Sequence, residues 1–452
     1  MRRPRARTAR LAATTILTAA TVAACGGLNN AGATGSAANA GPSGPPITVG
    51  MSLSLTGGFS ADGQACLKGY ELWRDDVNSH GGLLVNGVGR PVKLVYLNDN
   101  SDPATTTKAY TTLAQEHVDL LLGPFSSLLT VPAGIVANKF HYAFVEGSGG
   151  APKVFQQKLP DLFGVSAPVQ QQMLPFARWA AALPAGNAPG DRPKTAAYAM
   201  VDDPFADPPV LAAKAILQKA GVATVYDNYP GPGNTGAKLY EPNANTGAVP
   251  TSVLISAADK IASLNPQAVL IGSVDVPTLA AFINEFRRRH YSPQILIAAS
   301  GPDQGQIFLN AIGTPNANGI MVPDGWYGGY PDALSHVMVQ EYIATYGGTA
   351  SDINADVAEA YSAGQVMADA VTSVGLNQQK IINYLHNPNI TLDTVQGPAS
   401  WDKYVPGKQS GVNTKAVSFI FQWKPGARFE QVLANTGPAV GIINPKKMWA
   451  SF

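Results

Sequence analysis

Charge is what this 452-residue sequence has least of: Asp, Glu, Lys and Arg together make up 13%, about half the usual share of roughly 25%. Charge-driven disorder and coiled coils are thereby excluded, and 45% hydrophobic residues supply ample material for a core. Cysteine is nearly absent, with Cys25 and Cys66 the two copies. The six histidines (80, 117, 141, 290, 336, 386) are scattered, with no HxxxH pair and no neighbouring Cys ligand, so neither a metal site nor a cofactor is expected. No GxSxG elbow, P-loop or kinase signature occurs. Gly231 to Gly236 satisfies GxGxxG, but a polar stretch follows it. A phosphate fingerprint needs amides at a helix amino terminus, so this reads as a glycine-rich loop. The formal net charge is +1, and without the five arginines of the first ten residues it would be −4. Such a chain lacks the clustered Lys and Arg that displace counterions, and nucleic acid is excluded as a partner.

What the amino terminus does contain is a signal. Arg2 to Arg10 form a basic segment and Leu11 to Ala24 an apolar, small-residue one. That apolar segment is short of the ~18 residues of a membrane span, and the pattern reads as an export signal over 1–24. Val22-Ala23-Ala24-Cys25 resembles the bacterial lipobox, in which the cysteine is lipidated after cleavage, so Cys25 is expected to anchor the chain to the outer face of the cell membrane. Residues 25–46, rich in Gly, Ala, Asn and Pro, read as a flexible tether. Lipidation leaves Cys66 without a disulfide partner. Its four-three-four spacing with Tyr70, Trp73 and Val77 puts it on a buried helix face.

From Ile47 strand-like and helical runs alternate: strands at 47–53, 92–98, 119–123 and 142–146, then 195–201, 222–227, 268–272 and 294–299. Helices are expected between them, including one from about Thr130, one over Gln170 to Leu183, and two long ones at Ser335 to Tyr346 and Asp356 to Gly375. Strand–helix alternation implies parallel sheets covered on both faces. The fold class is therefore α/β, two doubly wound parallel-sheet lobes in tandem. The Gly, Pro and Asn-rich stretch 229–250 is too long for a routine connection and reads as an insertion.

Ligands of open α/β sheets bind beyond the carboxyl ends of the strands. The segments there are Leu55 to Phe59, Asn98 to Pro103, Gly123 to Ser127 and Glu146 to Gly150. Ser126 and Ser127 precede a helix whose first amides are free to hold a carboxylate. Around Ser148, Gly149 and Gly150 a backbone approaches a ligand without obstruction. Read alone, the serines serve equally as helix caps and the glycines as a tight turn. No nucleophile and base are paired by spacing, so a non-enzymatic binding site is expected rather than an exported hydrolase.

The opening ITVGMSLSLTGGFSADGQACLKGYELWRDDVNSHGG, the Asp-Pro of NDNSDPATTTKAY, LLLGPFSSLLTVPAGIVAN, EGSGGAPKVF, and QGPASWDKY followed by FIFQW resemble type I periplasmic binding proteins of the branched-chain amino-acid (Leu/Ile/Val-binding) kind, in family order. The resemblance implies two lobes joined by three crossover strands with a ligand cleft between them, the lobes placed at 47–166 with 323–416 and at 167–322 with 417–452. It implies a monomer that closes on an amino acid or related small molecule and delivers it to the permease and ATPase subunits of an ABC importer. It puts the carboxylate-binding serine at Ser127, the ammonium- and carboxylate-contacting loop at Ser148 to Gly150, and aromatic walls near Phe205, Trp326 and Tyr327. Phe59 and Ser126 complete the candidate set. The glutamate that holds the ligand ammonium in that family has no counterpart in Ser300-Gly301-Pro302-Asp303-Gln304, where Asp303 is the nearest acid, and the family's disulfide positions fall on Ser101 and Ser126. The ligand is thus left open among an amino acid, an amide or urea-like compound and an aromatic or aliphatic acid. The alternative role on the same fold is a ligand-sensing receptor module of a signalling system.

Overall fold

The computed structural model of the protein describes residues 41–243 and 248–450, and these belong to one compact unit. The export signal, Cys25 and all but the last residues of the tether lie outside the described residues, as do residues 244–247 of the insertion.

Along the chain, β1 (Ile47–Leu53) is followed by a hairpin, β2 (Leu83–Val85) and β3 (Val88–Arg90), then by β4 (Val92–Asn98), β5 (Leu120–Leu122), β6 (Phe144–Glu146) and β7 (Leu162–Gly164). Strands β4, β1, β5, β6 and β7 lie side by side in that order, all parallel. A second series, β8 (Thr195–Met200), β9 (Ala223–Asp227), β10 (Ala268–Gly272), β11 (Ile295–Ala298) and β12 (Met321–Asp324), repeats the pattern as β9-β8-β10-β11-β12. After a small hairpin, β13 (Leu392–Thr394) with β14 (Gly397–Ala399), the strands β15 (Phe419–Lys424) and β16 (Arg428–Leu433) add antiparallel to the β12 edge. Parallel strands covered by helices on both faces bury every side chain, which is why β5, β10 and β11 are continuous apolar runs and fully buried.

Three helices follow strands of the first sheet: α1 (Ser60–Ser79), α2 (Pro103–Gln115) and α3 (Ser127–Lys139). Asp102 caps α2, its carboxylate accepting from Thr105 N at 2.7 Å, with Pro103 supplying the preset φ of the first turn. Helix α3 begins three residues before the expected Thr130, because the Ser126 carbonyl accepts from both Leu129 N and Thr130 N and Pro132 is carried inside the helix. The single helix expected over 170–183 is two, Val169–Gln172 and Leu174–Ala182, the break falling at Met173–Leu174 just before Pro175, which has no N–H to continue the first ladder. The buried face of α1, with Cys66, Tyr70 and Trp73, packs on the helix Ala355–Val374. The two come close enough that a Cβ on Gly69 would lie 2.2 Å from the Val357 carbonyl, and one on Gly364 would lie 2.3 Å from the Trp73 ring.

The chain passes between the sheets three times, after β7, after β12 and before β15. The first and third passages are tied together: Gly164 N donates to Gly411 O at 2.8 Å, Asn413 Nδ2 to Val165 O at 2.7 Å, and Ser418 Oγ to Gln172 O at 3.0 Å. The expected boundary at 322/323 falls inside β12. Gly231 and Asn234 form a bridge within a turn with no helix behind it, as a glycine-rich loop requires.

Candidate functional site

The residues that follow the parallel strands of both sheets face one cavity. The first sheet supplies Phe125 and Ser126 after β5, Ser148 and Gly150 after β6, and Ser166 after β7. The second supplies Phe205 after β8, Val274 after β10, Ala299, Ser300 and Asp303 after β11, and Asp324 at the end of β12. The first turn of the helix Ala355–Val374 closes the remaining side with Asp356 and Glu359.

Ser126 is the N-cap of α3 by position, yet its side chain makes no capping bond; its Oγ is buried and has no partner, and the residue is 2% exposed. A hydroxyl so placed, beside the amides at the very start of the helix, is a ready donor to a carboxylate or another accepting ligand group. Ser127, the position matched to the family's carboxylate-binding serine, is fully buried inside α3, where its Oγ accepts from Ala151 N at 3.2 Å, and it does not line the cavity. Gly149 likewise stands behind the wall, its amide bonded to the Glu146 carboxylate. Phe59 is buried one layer further back, edge-on to Phe125 at 5.5 Å. Trp326 and Tyr327 line an adjoining chamber that shares Asp303, Asp324 and Ala355 with the first. Of the residues singled out by sequence, Ser126, Ser148, Gly150, Phe205 and Asp303 thus meet on one cavity.

Carboxylates dominate the rest of the wall. Asp303 Oδ1 accepts from Gly301 N at 2.6 Å, and burial pushes its carboxyl up to about 6. Asp324 Oδ1 accepts from Gly325 N at 2.6 Å and Trp326 N at 3.3 Å; burial, then the charge of Asp303, holds it well above the ordinary range. Glu359 accepts from Ser166 Oγ at 2.8 Å and is raised by burial. Asp356 is raised by burial first and by the negative charge of Asp62 next. Asp62, one layer behind, takes bonds from Gln304 Nε2 at 2.8 Å and Asn354 Nδ2 at 3.2 Å, and burial pushes it up to about 8. No Lys, Arg or His among the described residues lines the cavity. Among the described residues no group of three or more His, Cys, Asp and Glu is arranged to hold a metal ion.

Sequence reading missed Asp324, Asp356, Glu359 and Ser166 as wall residues. Pro323 inside MVPD argues against a strand, so the end of β12 was not recognised as a strand end. Asp356 and Glu359, three apart in a helical first turn, did carry a signal, because residues at that spacing share a face.

A family model described as "Periplasmic binding protein" matches residues 46–426. The chain belongs to the periplasmic binding protein family. This is a family of solute-binding proteins that work outside the cytoplasm, and three solved structures show how closely the chain keeps its fold. A leucine-binding protein from Thermotoga maritima is 17% identical with a TM-score of 0.67, the match covering 86% of this chain and 99% of that one. A branched-chain amino acid transporter substrate-binding protein from Streptococcus pneumoniae, solved with isoleucine, is 18% identical with a TM-score of 0.66 over 86% and 99%. An ABC-transporter solute-binding protein from R. palustris, solved with benzoate, is 19% identical with a TM-score of 0.66 over 87% and 97%. This periplasmic binding protein therefore shares one fold with proteins solved with an aliphatic amino acid and with an aromatic acid.

Proposed function

We propose that this periplasmic binding protein is the solute-binding subunit of an ATP-driven importer, taking an amino acid or related small carboxylate or amide into the cavity between its sheets and releasing it chemically unchanged. The observation that carries the reading is the wall itself. A buried hydroxyl without a partner stands at the head of α3 and lines the same cavity as the acids Asp303, Asp324, Asp356 and Glu359. Such a site offers a carboxylate or carbonyl the Ser126 hydroxyl with the α3 amides, and offers an ammonium the acids, with Asp303 in the role for which the resemblance expects a glutamate. Phe205 and Val274 supply the apolar surface for a side chain. The solved structures with isoleucine and benzoate support the ligand class.

On this reading the two sheets with their helices act as lobes that close on the ligand, Trp326 and Tyr327 form the rim at a crossing, and lipid on Cys25 keeps the monomer beside its permease. A thermal-shift screen with amino acids, simple amides and small aromatic acids tests the proposal, since a ligand that binds only the folded state raises the melting temperature. Binding that is insensitive to Ser126→Ala would remove the site from this cavity. For the anchor, fatty-acid labelling of wild type and Cys25→Ser decides, equal incorporation counting against it.

A further inference from the structure

The cavity is unbalanced in charge. Asp303, Asp324, Asp356 and Glu359 line it from the loops after β11 and β12 and from the helix Ala355–Val374, Asp62 stands behind them from α1, and no basic side chain among the described residues lines it. An amino acid of the branched-chain kind does not correct this, because its ammonium brings its own carboxylate. A benzoate adds one more negative charge. The other polar atoms of the wall point the same way: the Gln172 side-chain oxygen is buried without a partner, and a carbonyl oxygen can only accept, so it calls for a ligand donor. The unpartnered Ser126 hydroxyl is left for a ligand acceptor. Asp303 and Asp324 also line the adjoining chamber with Trp326 and Tyr327, so a second cationic group on a longer ligand would lie between acids and aromatic faces.

We propose that the solute is a small organic molecule of net positive charge, carrying an amino or guanidino group beyond any that its own carboxylate neutralises, as a basic amino acid or a diamine does. This deepens the reading of the cavity as the solute site and rests on it. In the empty protein the wall is protonated in part, since burial raises Asp303 to about 6 and holds Asp324, Asp356 and Glu359 above their ordinary range. The groups that perturb them from every side are acids or neutral hydrogen-bond partners, namely Asp62, Asp303, Asp324, Asp356, Glu359, Ser148 and Ser166. A cation enters by taking the place of those protons, so its binding weakens as pH falls through about 6, the value to which Asp303 is raised, and releases protons to the buffer.

The experiment is a thermal-shift and calorimetric comparison of L-arginine, 1,4-diaminobutane, L-leucine, benzoate and acetamide on the wild-type protein, in two buffers of different ionisation enthalpy. The expected result is stabilisation by arginine or diaminobutane with proton release, and affinity lowered about 10- to 150-fold in Asp324→Asn, the loss of one charged hydrogen bond. Glu359→Gln serves as a second variant if Asp324→Asn does not fold. If leucine, benzoate or acetamide binds and neither cation does, the cationic class is overturned and the solute-site reading stands. If a cation binds with unchanged affinity in both acid variants, the cavity is not its site and both fall. If none of the five binds, the cationic class is overturned and the solute-site reading loses its support with it.

Discussion

The two sheets share a strand order but end in different chemistry. Beyond the strands of the first stand hydroxyls: Ser54 after β1, Ser101 after β4, Ser126 after β5, Ser148 after β6 and Ser166 after β7. Beyond those of the second stand more acids, Asp203 after β8, Asp275 after β10, Asp303 after β11 and Asp324 closing β12, beside Ser273 and Ser300; the first has Asp99 after β4 and Glu146 closing β6. In the first sheet the hydroxyls divide between support and recognition. Ser54 Oγ holds Asp99 at 2.6 Å and Ser101 Oγ takes the Phe59 amide at 3.0 Å, whereas Ser126 Oγ holds nothing. The acids divide in the same way, Asp203 bonding Phe205 N at 2.8 Å and Asp275 bonding Thr278 N at 2.6 Å while Asp303 and Asp324 reach the cavity. On the proposed reading the Ser126 hydroxyl takes an acceptor of the ligand, and Asp303 and Asp324 take its cationic group.

The largest expected effect concerns the buried acids, one on each sheet. Burial pushes Glu146 up to about 8 and Asp203 up to about 7. A carboxyl whose folded pKa lies above its unfolded value binds more protons when folded, so stability is full below about pH 4 and is lost as pH rises through the folded value. The unliganded protein should therefore be more stable at pH 5 than at pH 8.5 in denaturant melts. Glu146→Gln and Asp203→Asn should each recover about 3 kcal/mol at the higher pH and flatten the profile. A flat wild-type profile would show that these acids are not shielded as the packing implies.

Next in size is Gly149→Val, whose Cβ would lie 2.4 Å from Glu146 Oε2 and 2.6 Å from Thr130 Oγ1. Overpacking of this kind costs about 1–3 kcal/mol, and it should also weaken binding by shifting Ser148 and Gly150. The serine pair then sharpens the division between support and recognition. Ser127→Ala leaves the Ala151 amide unpaired and should cost about 1–3 kcal/mol of stability. Ser126→Ala breaks no bond within the protein and should leave the free protein's melting temperature unchanged. Smallest in energy is the test of Cys66, buried and 3.7 Å from Ser148 Oγ, with burial raising its thiol well above the ordinary value. A thiol reagent should modify it slowly in the native protein and quickly after denaturation; rapid native labelling would mean that this face of α1 is open.

Strands whose own residues form a clear apolar run were legible: β1, β4 and β10 stand where those runs put them, to the residue. Three-residue β7, Pro-containing β12 and the charged edge strand β16 were not, because tertiary pairing rather than periodicity makes them strands. The site was legible as loops and not as side chains. The sequence marks the segment around Ser126 and Ser127 but not which hydroxyl faces the cavity. That choice depends on where α3 starts, and helix ends are set by which carbonyl takes the first bonds, here the Ser126 carbonyl. Asp356 and Glu359 join the wall only because their helix folds back across the first sheet, a return over nearly two hundred residues that no local pattern announces.

The most direct measurement is a calorimetric titration of L-arginine into the wild-type protein and into Ser126→Ala, with melts of both free proteins alongside. A cavity that takes the ligand's acceptor at Ser126 and its cationic group at the acids predicts binding to the wild type, affinity weaker by about 1.5 kcal/mol or more in Ser126→Ala, and identical melting temperatures. Equal affinity in the two proteins, or no heat of binding in either, would contradict it.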